Sequence, residues 1–124
     1  MKGAGENIAK IIWDATTLNV KNYDHTIDNY FMRHAYRQHK DDEIPIEKYD
    51  YKKIPLVIKK ANQIYWDSGA QNAGKNRHSK KKQRNGVLIY VKNYHKGRFI
   101  YLEEIRKNRR ELAAKTMYWQ PKQK

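Results

Sequence analysis

The stretch from Gly86 to Trp119 reads GVLIYVKNYHKGRFIYLEEIRKNRRELAAKTMYW, and how it divides decides the fold. Gly86 to Val91 is rich in β-branched and aromatic residues, Asn93 to Gly97 supplies turn chemistry, and Arg98-Phe99-Ile100-Tyr101-Leu102 returns to strand composition. That pattern is a β-hairpin. A second turn around Lys107 to Arg110 would lead to a last strand from Glu111 to Trp119. Composition alone leaves this part open, because Glu103 to Lys115 consists of good helix formers, with Leu102, Ile105 and Leu112 at loosely helical spacing. Read as a strand, the two-residue alternation puts Leu112, Ala114, Thr116 and Tyr118 on one face and Lys115 and Met117 on the other.

Immediately upstream, from Asp67 to Asn85, the chain turns to Gly, Ser, Asn, Gln and Lys, with no apolar residue larger than Ala. A flexible basic loop is expected at 67–85. Its basic residues Lys75, Arg77, Lys80, Lys81, Lys82 and Arg84 stand without an acid among them, as a solvated tether or as an arm that grips phosphates. Before the loop a short strand is expected at Gln63 to Trp66. Upstream of that strand, Asp50 can cap the segment that follows it, and Pro55 should sit early in a helix that carries Leu56, Val57, Ile58 and Ala61 into the core.

Further upstream, Asp24 or Thr26 offers an N-cap for a helix to about His39, which Asp41-Asp42-Glu43 and Pro45 bring to an end. Ile27, Phe31 and Ala35 recur every four residues as its buried side. Tyr30, His34 and Arg37 form an adjacent stripe about 40 to 60 degrees round, which puts His34 at the edge of the core. His39 lies roughly 140 degrees from His34, so the two rings diverge on an ideal helix. Residues 7 to 18 combine a helical stripe (Ile8, Ile11, Ile12, Ala15) with strand-like Trp13 and Thr16-Thr17; the weak preference is helix. His25, His78 and His95 fall in a cap, a loop and a turn, where ordinary surface roles are expected.

Charge is distributed unevenly. Between residues 67 and 124 there are sixteen Lys and Arg against four Asp and Glu, so this half carries +12 of the net +14. A polyanionic partner is expected, because neutralising phosphates with Lys and Arg releases condensed counterions. No apolar run is long enough to span a membrane, and the start does not read as a signal peptide; a cytoplasmic site of action is expected. The absence of Cys excludes disulfide scaffolds, thiolate zinc sites and cysteine nucleophiles. The acidic run has no EF-hand spacing, and no Gly-rich phosphate loop or serine elbow is present. No cofactor or metal is indicated. With 124 residues, a one-domain chain is expected.

Three pieces occur in an informative order: Arg33-His34-Ala35-Tyr36-Arg37-Gln38-His39, then Asp50-Tyr51-Lys52-Lys53-Ile54-Pro55-Leu56-Val57-Ile58, then Lys115-Thr116-Met117-Tyr118-Trp119. Over about residues 24 to 119 the chain resembles the phage-associated barnase, EndoU, colicin and RelE-like nucleases. The resemblance implies an α+β fold, with N-terminal helices packed on a four-stranded antiparallel meander sheet, and decides 103–119 for strands. It also implies a metal-independent endoribonuclease that leaves a 2′,3′-cyclic phosphate, with His34 as principal acid or base. His39, Arg33, Arg37, Thr116 and Tyr118 are further candidates, and Lys115 joins the loop cations in binding nucleic acid. The partners it implies are tRNA or mRNA and an acidic immunity protein. A catalytically inactive binding module or a phage structural protein is the alternative reading.

Overall fold

The computed structural model describes residues 5–68 and 86–122. Helix α1 (Glu6–Thr16) buries Ile8 and Ile12, four residues apart, and ends at Thr17, whose left-handed backbone directs its N–H to the Trp13 carbonyl at 2.8 Å. The helical preference for this segment holds. Residues Asp24–Thr26 form a short strand, β1, so neither Asp24 nor Thr26 caps the next helix. Asp28 does so instead: its carboxylate accepts from the Phe31 N–H at 2.7 Å and starts α2 (Asn29–His39). Phe31 and Ala35 are buried as expected, whereas Ile27 precedes the helix and is 41% exposed.

A 3-10 segment at Lys48–Lys53 runs into α3 (Ile54–Lys60), with Pro55 in the first turn. Ile54, Val57 and Ile58 occupy one side and are buried. Leu56, expected in the core, lies about 200 degrees round from Ile54 and is exposed.

Strands β2 (Gln63–Asp67), β3 (Val87–Tyr94), β4 (Gly97–Arg106) and β5 (Glu111–Pro121) form the expected antiparallel meander. The sheet nevertheless has five strands in the order β1-β5-β4-β3-β2, because β1 pairs in parallel with Glu111–Ala113 at the β5 edge. The architecture is thus α+β with a mixed sheet, and the four-stranded antiparallel expectation is corrected by that added strand. Gly97 closes the β3–β4 turn, where a Cβ would stand 2.6 Å from the Gln120 carbonyl oxygen. The β4–β5 turn is a 3-10 segment, Lys107–Arg109, followed by left-handed Arg110. Of the stretch 67–85 expected as a loop, Asp67 belongs to β2, and 69–85 lie outside the described residues, His78 included.

One irregularity changes which side chains share a face. Leu102 pairs with Thr116 but Glu103 pairs with Ala114, so Lys115 is an extra residue in β5. This β-bulge shifts the alternation by one position. Leu112 and Ala114 are continued on the helix-covered face by Met117 and Trp119, all four part of the core. Thr116 and Tyr118 turn to the opposite face, which overturns the expectation that they accompany Leu112 and Ala114.

The core lies between the helices and one sheet face, with Leu88, Tyr90, Phe99 and Tyr101 meeting Ile12, Phe31, Val57 and their neighbours. Phe99 and Trp119 pack edge to face at 5.0 Å. Within it sits Glu103, fully buried, accepting from the Tyr90 hydroxyl at 2.5 Å and the Tyr101 hydroxyl at 2.9 Å, with His25 Nδ1 at 2.7 Å. His25 is therefore an interior residue; the surface role expected for it is corrected. Burial first, and then the Glu103 charge and its hydrogen bond, push both phenols above the usual tyrosine range. No helix among the described residues is long and apolar enough to cross a membrane.

Candidate active site

The sheet face away from the helices carries two registered rows. One runs Gln63, Val91, Ile100, Tyr118 and the other Tyr65, Ile89, Leu102, Thr116. Val91 and Ile100 are buried, giving the centre of this face an apolar floor, while Tyr65 is largely exposed at its far side. Burial, followed by the neighbouring Tyr65, raises the Tyr118 phenol above its ordinary value. It stays protonated and able to donate a hydrogen bond. Thr116 Oγ1 is buried and has no hydrogen-bond partner among the described residues. Two hydroxyls from one strand thus face the same way, and that of Thr116 is uncommitted.

An imidazole reaches this face from α2. Strand β1 covers only Glu111–Ala113 of the β5 edge, and α2 packs against β5. At its C-terminus the His39 ring lies on the Tyr118 ring, 5.1 Å between centroids and 27° from parallel. The chain then folds back, with the N–H groups of Asp42 and Ile46 both donating to the His39 carbonyl. That turn brings Asp42 Oδ2 to 2.7 Å from His39 Nδ1. A carboxylate at Nδ1 favours a proton on that nitrogen and leaves Nε2 to accept or release one. The His39 side chain is 17% exposed, sheltered but reachable.

The remaining expected residues are spread more widely. His34 is exposed and stacks on Tyr30, centroids 5.8 Å apart and 10° from parallel, beside a shallow depression shared with Arg37 and Gln38. The 140 degrees between the two histidines puts His34 on the outer side of α2, so it is His39 that meets β5. Arg33 takes a third direction and lines a groove with Met32 and Tyr36. Lys115 is exposed at the bulge, next to Thr116 in sequence. Lys75, Arg77, Lys80, Lys81, Lys82 and Arg84 lie outside the described residues.

Two residues of this region escaped the sequence reading. Asp42 belongs to the acidic run that ends the helix, and its position three residues beyond His39 is the available signal. Arg98 pairs with Gln120, and its next-but-one neighbour Ile100 pairs with Tyr118; Arg98 is thereby the diagonal neighbour of Tyr118 on the same face. The alternation from Ile100 back to Arg98 would have revealed it once the register was known.

A buried brace holds β5 from behind. Asp50 is fully buried; its Oδ2 accepts from Trp119 Nε1 at 3.0 Å and from the Glu47 N–H at 2.9 Å, and its Oδ1 from Lys53 Nζ at 3.0 Å. Desolvation is the largest single influence and acts upward. The combined hydrogen bonds and the Lys53 charge outweigh it, and the carboxyl lies below its ordinary range. Trp119 is adjacent to Tyr118, so the brace steadies the strand that carries the two hydroxyls. Among the described residues no group of three His, Cys, Asp or Glu side chains is gathered to hold a metal ion.

No curated protein and no solved structure matches the chain. A family model described as phage-Barnase-EndoU-ColicinE5/D-RelE like nuclease 3 matches residues 2–124. An α+β framework with a meander sheet, a helical imidazole and a closing strand bearing Lys115-Thr116 accompanies that match. The chain belongs to this nuclease family.

Proposed function

We propose that the protein is a metal-independent endoribonuclease that cleaves RNA by internal transphosphorylation, with His39 as its main proton carrier. The observation that carries this reading is the Asp42-held imidazole stacked on Tyr118, beside the uncommitted Thr116 hydroxyl. His39 Nε2 takes the proton from the ribose 2′-OH as the 2′-oxygen attacks phosphorus. The P–O5′ bond then breaks, the 5′-oxygen gains a proton from the imidazolium or from water, and a 2′,3′-cyclic phosphate remains. Tyr118 donates to the non-bridging oxygens as charge builds on them, Thr116 joins it once RNA binding uncovers its buried hydroxyl, and Arg98 and Lys115 supply positive charge nearby. His34 and Arg37, together on the outer side of α2, are assigned to the RNA path rather than to the reacting phosphate.

The cations from Lys75 to Arg84 take the phosphate-gripping role on composition alone. In this reading the substrate is tRNA or mRNA in a bacterial cytosol, reached by a phage-encoded or toxin-associated chain. An acidic immunity protein would complement the excess positive charge.

The test is incubation with end-labelled RNA in EDTA, followed by analysis of the new termini. Cyclic phosphate ends that disappear in His39→Ala support the proposal. Intact RNA, with and without translating ribosomes, but with salt-sensitive gel shifts, would replace it with a binding module.

A further inference from the structure

Beside the β5 edge, between α2 and the 3-10 segment, lies a groove of about 280 Å³ that plays no part in the proton chemistry. Its floor is Ile46 and Met117, each 2% exposed, and Met32 forms one side. Tyr36 and Tyr51 stand at its mouth, 39% and 38% exposed. Two exposed cations, Arg33 and Lys48, flank it, and neither is in an ion pair among the described residues. Its one acid, Glu47, is already committed: its carboxylate accepts from the Asp50 N–H. The groove therefore offers aromatic and thioether carbon inside and positive charge outside.

We infer that this groove receives one unpaired base of the RNA, the base stacking against Tyr36 or Tyr51 while Arg33 and Lys48 hold the flanking phosphates. Single-stranded RNA is bound in this manner, with splayed bases against aromatic rings and cations on the backbone. The volume lies near the lower end of small-ligand pockets, about 300 Å³, which suits one base better than a larger ligand. Position links the groove to the site: Met32, Tyr36 and His39 follow the i, i+4, i+7 stripe of α2, and Tyr36 is about 4.5 Å along the axis from His39. A strand whose scissile phosphate lies at His39 has a neighbouring nucleotide at Tyr36. The inference rests on the nuclease reading for its substrate, but its test does not require cleavage.

Met32 and Met117 are two of the three methionines in the chain, the third being Met1. Protein labelled with ¹³C at the methionine methyls is titrated with a 2′-O-methyl trinucleotide, which lacks the 2′-OH that cleavage consumes. The expected result is saturable movement of the Met32 and Met117 signals. A blunt 2′-O-methyl RNA duplex of about twelve base pairs, long enough to stay paired, should move them little. Tyr36→Ala and Tyr51→Ala together should weaken binding about five- to hundredfold, the range of one lost base stack.

Trinucleotide that binds without moving Met32 or Met117, or a duplex that moves them equally, overturns the inference. Should the tyrosine variants fail to fold, the wild-type titration alone decides. Methyl shifts in a protein that does not cleave RNA would sink the catalytic proposal and leave the base groove standing; cleavage without the shifts would do the reverse.

Discussion

Replacing Asp50 with alanine removes the acceptor on which three donors converge. Trp119 Nε1 and the Glu47 N–H lose their partner, and each such orphaned donor costs about 1–3 kcal/mol where water cannot replace it. Lys53, whose side chain is 27% exposed, recovers hydration and adds little. The expected loss is about 2–6 kcal/mol, a large fraction of the roughly 5–15 kcal/mol that holds a domain folded. Urea unfolding followed by tryptophan fluorescence reads it as a midpoint lowered by about 2 M, given a slope of about 2 kcal/mol per M. The difference should also depend on pH. A carboxyl whose folded pKa lies below its unfolded value contributes fully above about pH 4 and loses that contribution as pH falls through the folded pKa. Wild type and Asp50→Ala should therefore converge in the acid range. A midpoint shift below about 0.5 M at neutral pH, or a gap that stays constant into acid, would refute the account of Asp50 as a charged brace.

His39→Ala should lower RNA cleavage by about 10²- to 10⁴-fold, while His34→Ala changes it by no more than severalfold; rates on one labelled RNA compare them. Asp42→Asn should cut the rate about tenfold or more with folding unchanged, because the amide cannot hold the imidazolium as the carboxylate does; circular dichroism controls for folding. Glu103→Ala should cost about 3–5 kcal/mol, because it leaves Tyr90, Tyr101 and His25 in the core without their shared acceptor, and a thermal melt would show it. In alkali, phenols with raised folded pKa values stabilise the fold fully below the unfolded value near 10 and lose that contribution as pH rises further. Tyr90 and Tyr101 should thus stay silent in absorbance at 295 nm until the protein unfolds, and early titration of all ten tyrosines would contradict their burial.

The elements that the amino-acid sequence determined by itself are those written in local patterns. The β3–β4 hairpin follows from two strand-like runs around Asn93–Gly97, the buried side of α2 from Phe31 and Ala35 four residues apart, and the α3 start from Pro55. Charge placement was equally legible, because it needs no geometry. For β5, composition admitted a helix, and the resemblance of about residues 24 to 119 to a nuclease family settled what local propensity could not. The tertiary structure decided the rest. Parallel pairing of β1 with β5 joins residues more than 80 positions apart, and no local signal in Asp24-His25-Thr26 announces it. The bulge at Lys115 arises from a register shift between two strands, and it alone determines that Thr116 and Tyr118 leave the core face. The choice of His39 over His34 was likewise beyond one helix: periodicity says that the two rings diverge, but only the packing of α2 on β5 says which of them meets the strand.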